Sequence, residues 1–299
     1  MKHTFKEWFE VTRYWSFVVS AMPVIAGFAY LCCTRQVPSG PVPIACFVLS
    51  VLGIVIFHAA GNVLSDYFDY RKEVDNEKAF SVPNLVFHKF EPREYLAFSI
   101  GLFAVGIAVG LAIVLMSGTG VLVVGVIGFV LTALYAFFKF RALGDLDIFI
   151  VFGVLPMLGI FCAVTGHVCP DILLLSFPIG IVTVSVLHAN NTRDTETDRE
   201  AGIRTFAMLI GGKASAILYI VYMIAPFAYV VAVVAAGALT PFALLSLGAL
   251  APAVKNIKTA AQYNVKGIAA LEGLDQASAQ MQLVFSALLS LGLFAGMLV

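Results

Sequence analysis

Two polar stretches in an otherwise apolar chain carry residue types that can do chemistry. Residues 58–75 read HAAGNVLSDYFDYRKEVD, and residues 188–205 read HANNTRDTETDREAGIRT. In the second stretch Asn191, Asp194 and Asp198 stand at i, i+3 and i+7, which places them on one face of a helix. Asn190 lies four residues before Asp194. In the first stretch Asn62, Asp66 and Asp69 repeat the one-faced pattern at i, i+4 and i+7. Carboxylates and amide oxygens aimed at one point form a hard oxygen site, suited to Mg²⁺ with water and phosphate completing its shell. No Cys or His pair has metal-ligand spacing, which favours Mg²⁺ over a softer ion. A diphosphate held through Mg²⁺ becomes a better leaving group. Arg13, Lys72, Lys139, Arg141, Arg193 and Arg204 are the basic residues that could grip the same oxygens. Taken singly, each Asp reads equally well as solvating a helix end, and each Lys or Arg as a membrane anchor. Solvation does not explain two Asn-plus-two-Asp faces at equivalent places. His58 and His188 precede the two clusters and read as hydrogen-bonded packing residues rather than catalytic ones.

The elements that must position these faces are membrane helices. The 299 residues are 61% hydrophobic and 12% charged, against about 25% charged in a soluble domain. The fold class is therefore all-α, a polytopic membrane helical bundle. Zero formal net charge excludes a basic nucleic-acid binder. The five cysteines lie in or beside apolar runs and read as small apolar residues. The polar, basic first fourteen residues precede a full-length span without a cleavage pattern, so no removed signal peptide is expected. Nine apolar runs fit a span of about 20 residues: 15–34, 42–64, 95–116, 119–138, 147–166, 171–190, 214–236, 240–254 and 278–298. The eighth is the weakest, being short with Pro241 and Pro252 near its ends. Of the 18 Lys and Arg, only Arg35 falls outside one set of alternating connectors. The positive-inside rule then places the N-terminus and both acidic clusters on the cytoplasmic side. The clusters sit at the exits of spans two and six, consistent with a single domain over 1–299 built from duplicated spans 2–5 and 6–9.

These motifs resemble the UbiA superfamily of intramembrane aromatic prenyltransferases, whose members have nine helices with Asp-rich motifs on the second and sixth. The resemblance runs from Arg13-Tyr14-Trp15-Ser16 to the last span, and NNTRDTETDREAGIRT is similar to the form in the menaquinone branch. It implies that Asp66, Asp69, Asp194 and Asp198, with Asn62 and Asn191, hold Mg²⁺ on a polyprenyl diphosphate. Asp75 falls at the position of a later acid. Tyr135, Lys139, Gly144 and Asp145 in YAFFKFRALGD resemble the loop after helix four, where a Lys contacts diphosphate, and Arg13 resembles the basic residue opening helix one. Arg13, Lys72, Tyr135, Lys139, Arg141 and Arg204 are thus the expected diphosphate and acceptor contacts. Two positions depart from the pattern: Ser65 stands where an Asn is common, and Tyr14 replaces a Pro. The implied partners are polyprenyl diphosphate, membrane lipid and an aromatic acceptor, foremost 1,4-dihydroxy-2-naphthoate with decarboxylation. Within the family 4-hydroxybenzoate, haem, homogentisate or a chlorophyllide would serve instead. A bacterial inner membrane is the expected location. A transporter is the rival class, but its ionisable groups would lie near the midplane, where these span centres have none.

Overall fold

The computed structural model describes residues 3–71 and 83–298. Lys72 and Asp75 lie outside these described residues, so nothing structural attaches to either expectation. Among the described residues, nine main helical segments correspond to the nine apolar runs, the eighth displaced toward the C-terminus. We label them α1 (Phe17–Cys33), α2 (Pro41–Arg71), α3 (Pro92–Ser117), α4 (Gly120–Ala133) and α5 (Gly144–Thr165). The rest are α6 (Pro170–Arg193), α7 (Gly212–Ala235), α8 (Leu250–Ala261) and α9 (Leu274–Gly296). Seven are long and apolar enough to cross a membrane.

The two exceptions have local causes. Segment α4 ends at Ala133, and a separate turn of helix, Tyr135–Lys139, carries the chain on, so the expected span 119–138 is two pieces. The eighth run opens with Pro241 into a 3₁₀ segment, Pro241–Ala249, before α8 begins. A proline at the first turn lacks only an N–H that would be unbonded anyway.

Sequence neighbours pack as spatial neighbours: α2 on α3, α6 on α7, α7 on α8. The last helix, α9, packs against both α1 and α6 and thereby closes the bundle. Buried residues of α1, α5, α6, α7 and α9, among them Leu31, Phe161, Ile179, Met223 and Phe285, share one core. Without a hydrophobic driving force inside lipid, close approach depends on small residues. Gly153 of α5 faces Gly180 of α6, and a Cβ on Gly153 would lie 2.9 Å from the Gly180 Cα. That crossing fixes the start of α5 beside the end of α6. Just there α5 widens into a π turn over Ile150–Val154, a distortion frequent near functional sites.

At the N-terminus a short helix, Phe5–Val11, is capped reciprocally by Thr4 and Glu7. Val11 packs into a second cluster with Val63, Leu85, Phe90 and Tyr95, which ties this helix to the motif-bearing end of α2. Arg13 then takes a left-handed backbone (φ 55°), uncommon for a residue other than glycine. It turns the chain from the surface helix into α1.

Candidate active site

The first motif lies as the spacing predicts. Asn62, Asp66 and Asp69 occupy one uninterrupted helix, with both carboxylates buried at 1% and 5% exposure. Buried carboxylates require partners. Arg13 donates from Nη2 to Asp66 Oδ1, so the turn at Arg13 exists where the guanidinium meets the motif. Lys139 donates from Nζ to Asp69 Oδ2 at 3.0 Å, and Ser65 Oγ donates to the same oxygen at 3.4 Å. Ser65, at the position where an Asn is common, thus still serves the motif as a polar partner.

The second motif departs from one continuous helix. The helix ending at Arg193 breaks at Asp194, and a new turn runs over Thr195–Glu200. Asn191 and Asp198 are buried, whereas the Asp194 side chain keeps 31% exposure. Arg193 grips both carboxylate oxygens of Asp194, at 2.7 and 2.9 Å, and reaches Asn190 Oδ1. Its third contact is Asp275 of α9, 3.0 Å from Nη1. Asp275 was invisible to sequence reasoning, because an acid starting the last helix carries no motif and is joined to Arg193 only by the closure of the bundle.

The two motifs meet across Lys139 and Asp198. Burial raises the Asp198 pKa to about 6, Lys139 opposes this, and Asp194 and Asp69 add to it. A carboxylate that feels acids from both motifs lies where the ends of α2 and α6 converge. Burial alone would lower the Lys139 pKa, but Asp69, Tyr135 and Asp198 outweigh it and hold the ammonium well above its ordinary value. Tyr135 therefore belongs to the same cluster. Arg141 and Arg204 are brought together by a backbone bridge between their loops. Arg141 stacks on Phe137 at 3.6 Å, and neither arginine forms an ion pair with another described residue.

The donor set fits Mg²⁺. Asp69 Oδ1 is a buried carboxylate oxygen with no hydrogen-bond partner among the described residues. Among those residues no three His, Cys, Asp or Glu side chains converge on one point. Mg²⁺ does not require that, since it keeps several waters and is held by one or two carboxylates plus substrate phosphate. Asp66, Asp69, Asp194 and Asp198, the four acids expected from spacing, are the candidate ligands. His188 is wholly buried between Asp145 (Nδ1 to Oδ2, 2.6 Å) and Ser215 (Nε2 to Oγ, 2.8 Å), in keeping with a hydrogen-bonded packing role.

The sequence matches the UbiA prenyltransferase family over residues 20–271. It is 33% identical over 230 residues to UbiA prenyltransferase domain-containing protein 1 of Xenopus tropicalis, covering 72% of this chain and 63% of that protein. The human protein of that name is 33% identical over 221 residues, covering 72% of this chain and 64% of the relative. The match thus spans less than two thirds of these relatives' length. They are animal proteins and lend no support to the expectation of a bacterial inner membrane. A UbiA homolog from Aeropyrum pernix superposes with a TM-score of 0.69 at 20% identity, over 93% of this chain and 97% of that one. A UbiA homolog from Archaeoglobus fulgidus, bound to GPP and Mg²⁺, gives 0.64 at 15% identity, over 95% and 99%. Apolar helices of membrane-crossing length, an architecture shared with solved UbiA homologs and a family match along most of its length make this chain an integral membrane protein that belongs to the UbiA prenyltransferase family.

Proposed function

We propose that this chain transfers a polyprenyl group from its diphosphate to an aromatic acceptor, with 1,4-dihydroxy-2-naphthoate as that acceptor, in the manner of the menaquinone branch. The observation that carries the reading is the meeting of Asp69, Lys139 and Asp198 at the joined ends of α2 and α6. The solved homolog bound to GPP and Mg²⁺ supports the donor class, and the likeness of NNTRDTETDREAGIRT to the menaquinone form supports the branch.

Asp66, Asp69, Asp194 and Asp198, with the amide oxygens of Asn62 and Asn191, would hold Mg²⁺, which when bound neutralises the diphosphate and stabilises it as a leaving group. Lys139 and Arg13 place positive charge beside the departing oxygens. The prenyl C–O bond breaks with its electron pair leaving on diphosphate. The electron-rich ring carbon then bonds to the allylic carbon, and the acceptor carboxylate departs as CO₂, returning its electron pair to the ring. Aromatic faces stabilise the cationic carbon between these events. The concentration of Lys and Arg in one set of connectors supports a site on the cytoplasmic side.

The test is product formation by purified protein in lipid, given geranylgeranyl diphosphate and 1,4-dihydroxy-2-naphthoate, with Mg²⁺ or with EDTA. A prenylated naphthoquinol that forms only with Mg²⁺, and not with Asp194→Ala, is the expected result. Product only with 4-hydroxybenzoate, haem or homogentisate would move the acceptor and leave the transferase. Silence with every acceptor, from folded protein, would overturn the reading.

A further inference from the structure

An asparagine side chain is two-faced: its oxygen can bind a cation, its amide nitrogen cannot. Whether Asn62 and Asn191 can serve a metal-bound diphosphate therefore depends on which way each amide is turned. In both motifs that choice is made by neighbours outside the acid clusters.

Asn191 Nδ2 lies 3.4 Å from Asp145 Oδ1. Asp145 meets His188 Nδ1 through its other oxygen, and His188 Nε2 meets both Ser215 Oγ at 2.8 Å and the Ser215 carbonyl oxygen at 3.2 Å. Ser215 Oγ contacts Thr192 Oγ1, which donates to the His188 carbonyl. Every member of this chain except Asp145 is at most 4% exposed, and Asp145 is 8% exposed. An ionised carboxylate only accepts, so His188 carries its hydrogen on Nδ1 and Asn191 must offer its NH₂ to Asp145. The Asn191 oxygen is turned away from that contact.

The first motif reaches the same outcome with different parts. Asn62 Nδ2 donates to the Thr12 carbonyl at 3.0 Å and to Ser16 Oγ at 3.2 Å. Ser16 Oγ donates to the Arg13 carbonyl and contacts His58 Nε2, whose Nδ1 meets Ser20 Oγ. A backbone carbonyl can only accept, so this amide too is fixed with its nitrogen spent. His58 stands four residues before Asn62, and His188 three before Asn191.

We propose that His188 and Asp145, and on the other helix Ser16 and His58, are positioning residues that lock the two motif asparagines with their oxygens toward the metal–diphosphate site. The proposal rests on the reading of Asn62 and Asn191 as oxygen donors. It makes a polarity argument that simple packing does not. In Asp145→Asn, a His188 that keeps its hydrogen on Nδ1 holds the new amide oxygen, so the new NH₂ faces the Asn191 NH₂ and forces Asn191 to flip its nitrogen into the site.

The experiment uses the purified full chain with geranyl diphosphate. Metal uptake is read by the loss of the free Mn²⁺ electron paramagnetic resonance signal and by the Mg²⁺-induced rise in melting temperature. Asp145→Asn should move the metal midpoint upward by about 10–100-fold, as loss of an outer-shell partner does elsewhere. Adding Asn191→Asp exchanges donor and acceptor at unchanged pair charge and should restore it. Adding His188→Met instead frees the new amide at position 145 to turn its oxygen to Asn191, and should also restore it without any added charge. Ser16→Ala, which leaves the Thr12 carbonyl in place, should give a smaller upward shift. An Asp145→Asn midpoint like wild type overturns the proposal, and so does a shift that neither second change relieves. Recovery by Asn191→Asp alone points to charge and also overturns it. If the methionine variant does not fold, His188→Leu in the same Asp145→Asn background takes its place, because it too removes the Nδ1–H without adding charge. Wild-type protein that takes up no metal overturns the underlying metal reading instead, and is recognised by failing before any variant is compared.

Discussion

Lys139 is the residue through which the two motifs of the site touch. It bonds Asp69 at 3.0 Å with side-chain exposures of 15% and 7%, and Asp198 lies within its field. Removing one partner of such a buried pair strands the other, at about 3 kcal/mol or more. Lys139→Met should therefore lower the melting temperature of the metal-free protein, and the double variant Lys139→Met/Asp69→Asn should regain most of that loss. Additive losses in the double variant would show that the pair is not coupled. Much of this scale was legible in the sequence. The four acids, both asparagines, Arg13 and Lys139 were named from spacing and family likeness, because carboxylates clustered beside apolar runs repel one another until a cation joins them. What spacing could not supply was pairing. That Arg13 serves Asp66, that Arg193 links Asp194 to Asp275, and that His188 backs Asp145 are contacts between helices distant in sequence.

At the level of elements, hydropathy locates the seven described helices of membrane-crossing length, since a span must satisfy its backbone within one apolar stretch. It missed the interruptions. The break at Asp194 and the separate turn Tyr135–Lys139 depend on where polar side chains find partners once helices have packed. The crossing of α5 and α6 is a test of how packing governs the site. Gly153→Ala puts its Cβ 2.9 Å from the Gly180 Cα and 3.1 Å from the Ser176 carbonyl oxygen, and backbone cannot yield as a side-chain tip does. Overpacking of this kind costs about 1–3 kcal/mol. The helices should part, drawing Asp145 on α5 away from Asn191 on α6. Gly110→Ala is the control, because its Cβ would meet nothing within 4 Å. The expectation is a lower melting temperature and a raised Mg²⁺ midpoint for Gly153→Ala, with Gly110→Ala at or above wild type. Equal behaviour of the two would mean that the crossing does not set the site.

For the molecule as a whole, the question is which side of the membrane the site faces. Helices and their packing are symmetric with respect to the bilayer; charge is not. Arg35 is the only one of 18 basic residues on the far connectors, and a bias of that size in short connectors sets orientation through retention of Lys and Arg in the cytoplasm. On that basis we propose that both motifs, at the exits of α2 and α6, open to the cytoplasm. Glu196 and Thr119 are exposed residues at the two opposite ends. In a variant whose five cysteines are replaced, Glu196→Cys should resist a membrane-impermeant maleimide in intact cells and react in inverted vesicles, with Thr119→Cys doing the reverse. The opposite labelling would turn the protein over, and the site would then need its diphosphate from the far side. Labelling of both positions from one side would instead break the span count, because an odd number of crossings separates them.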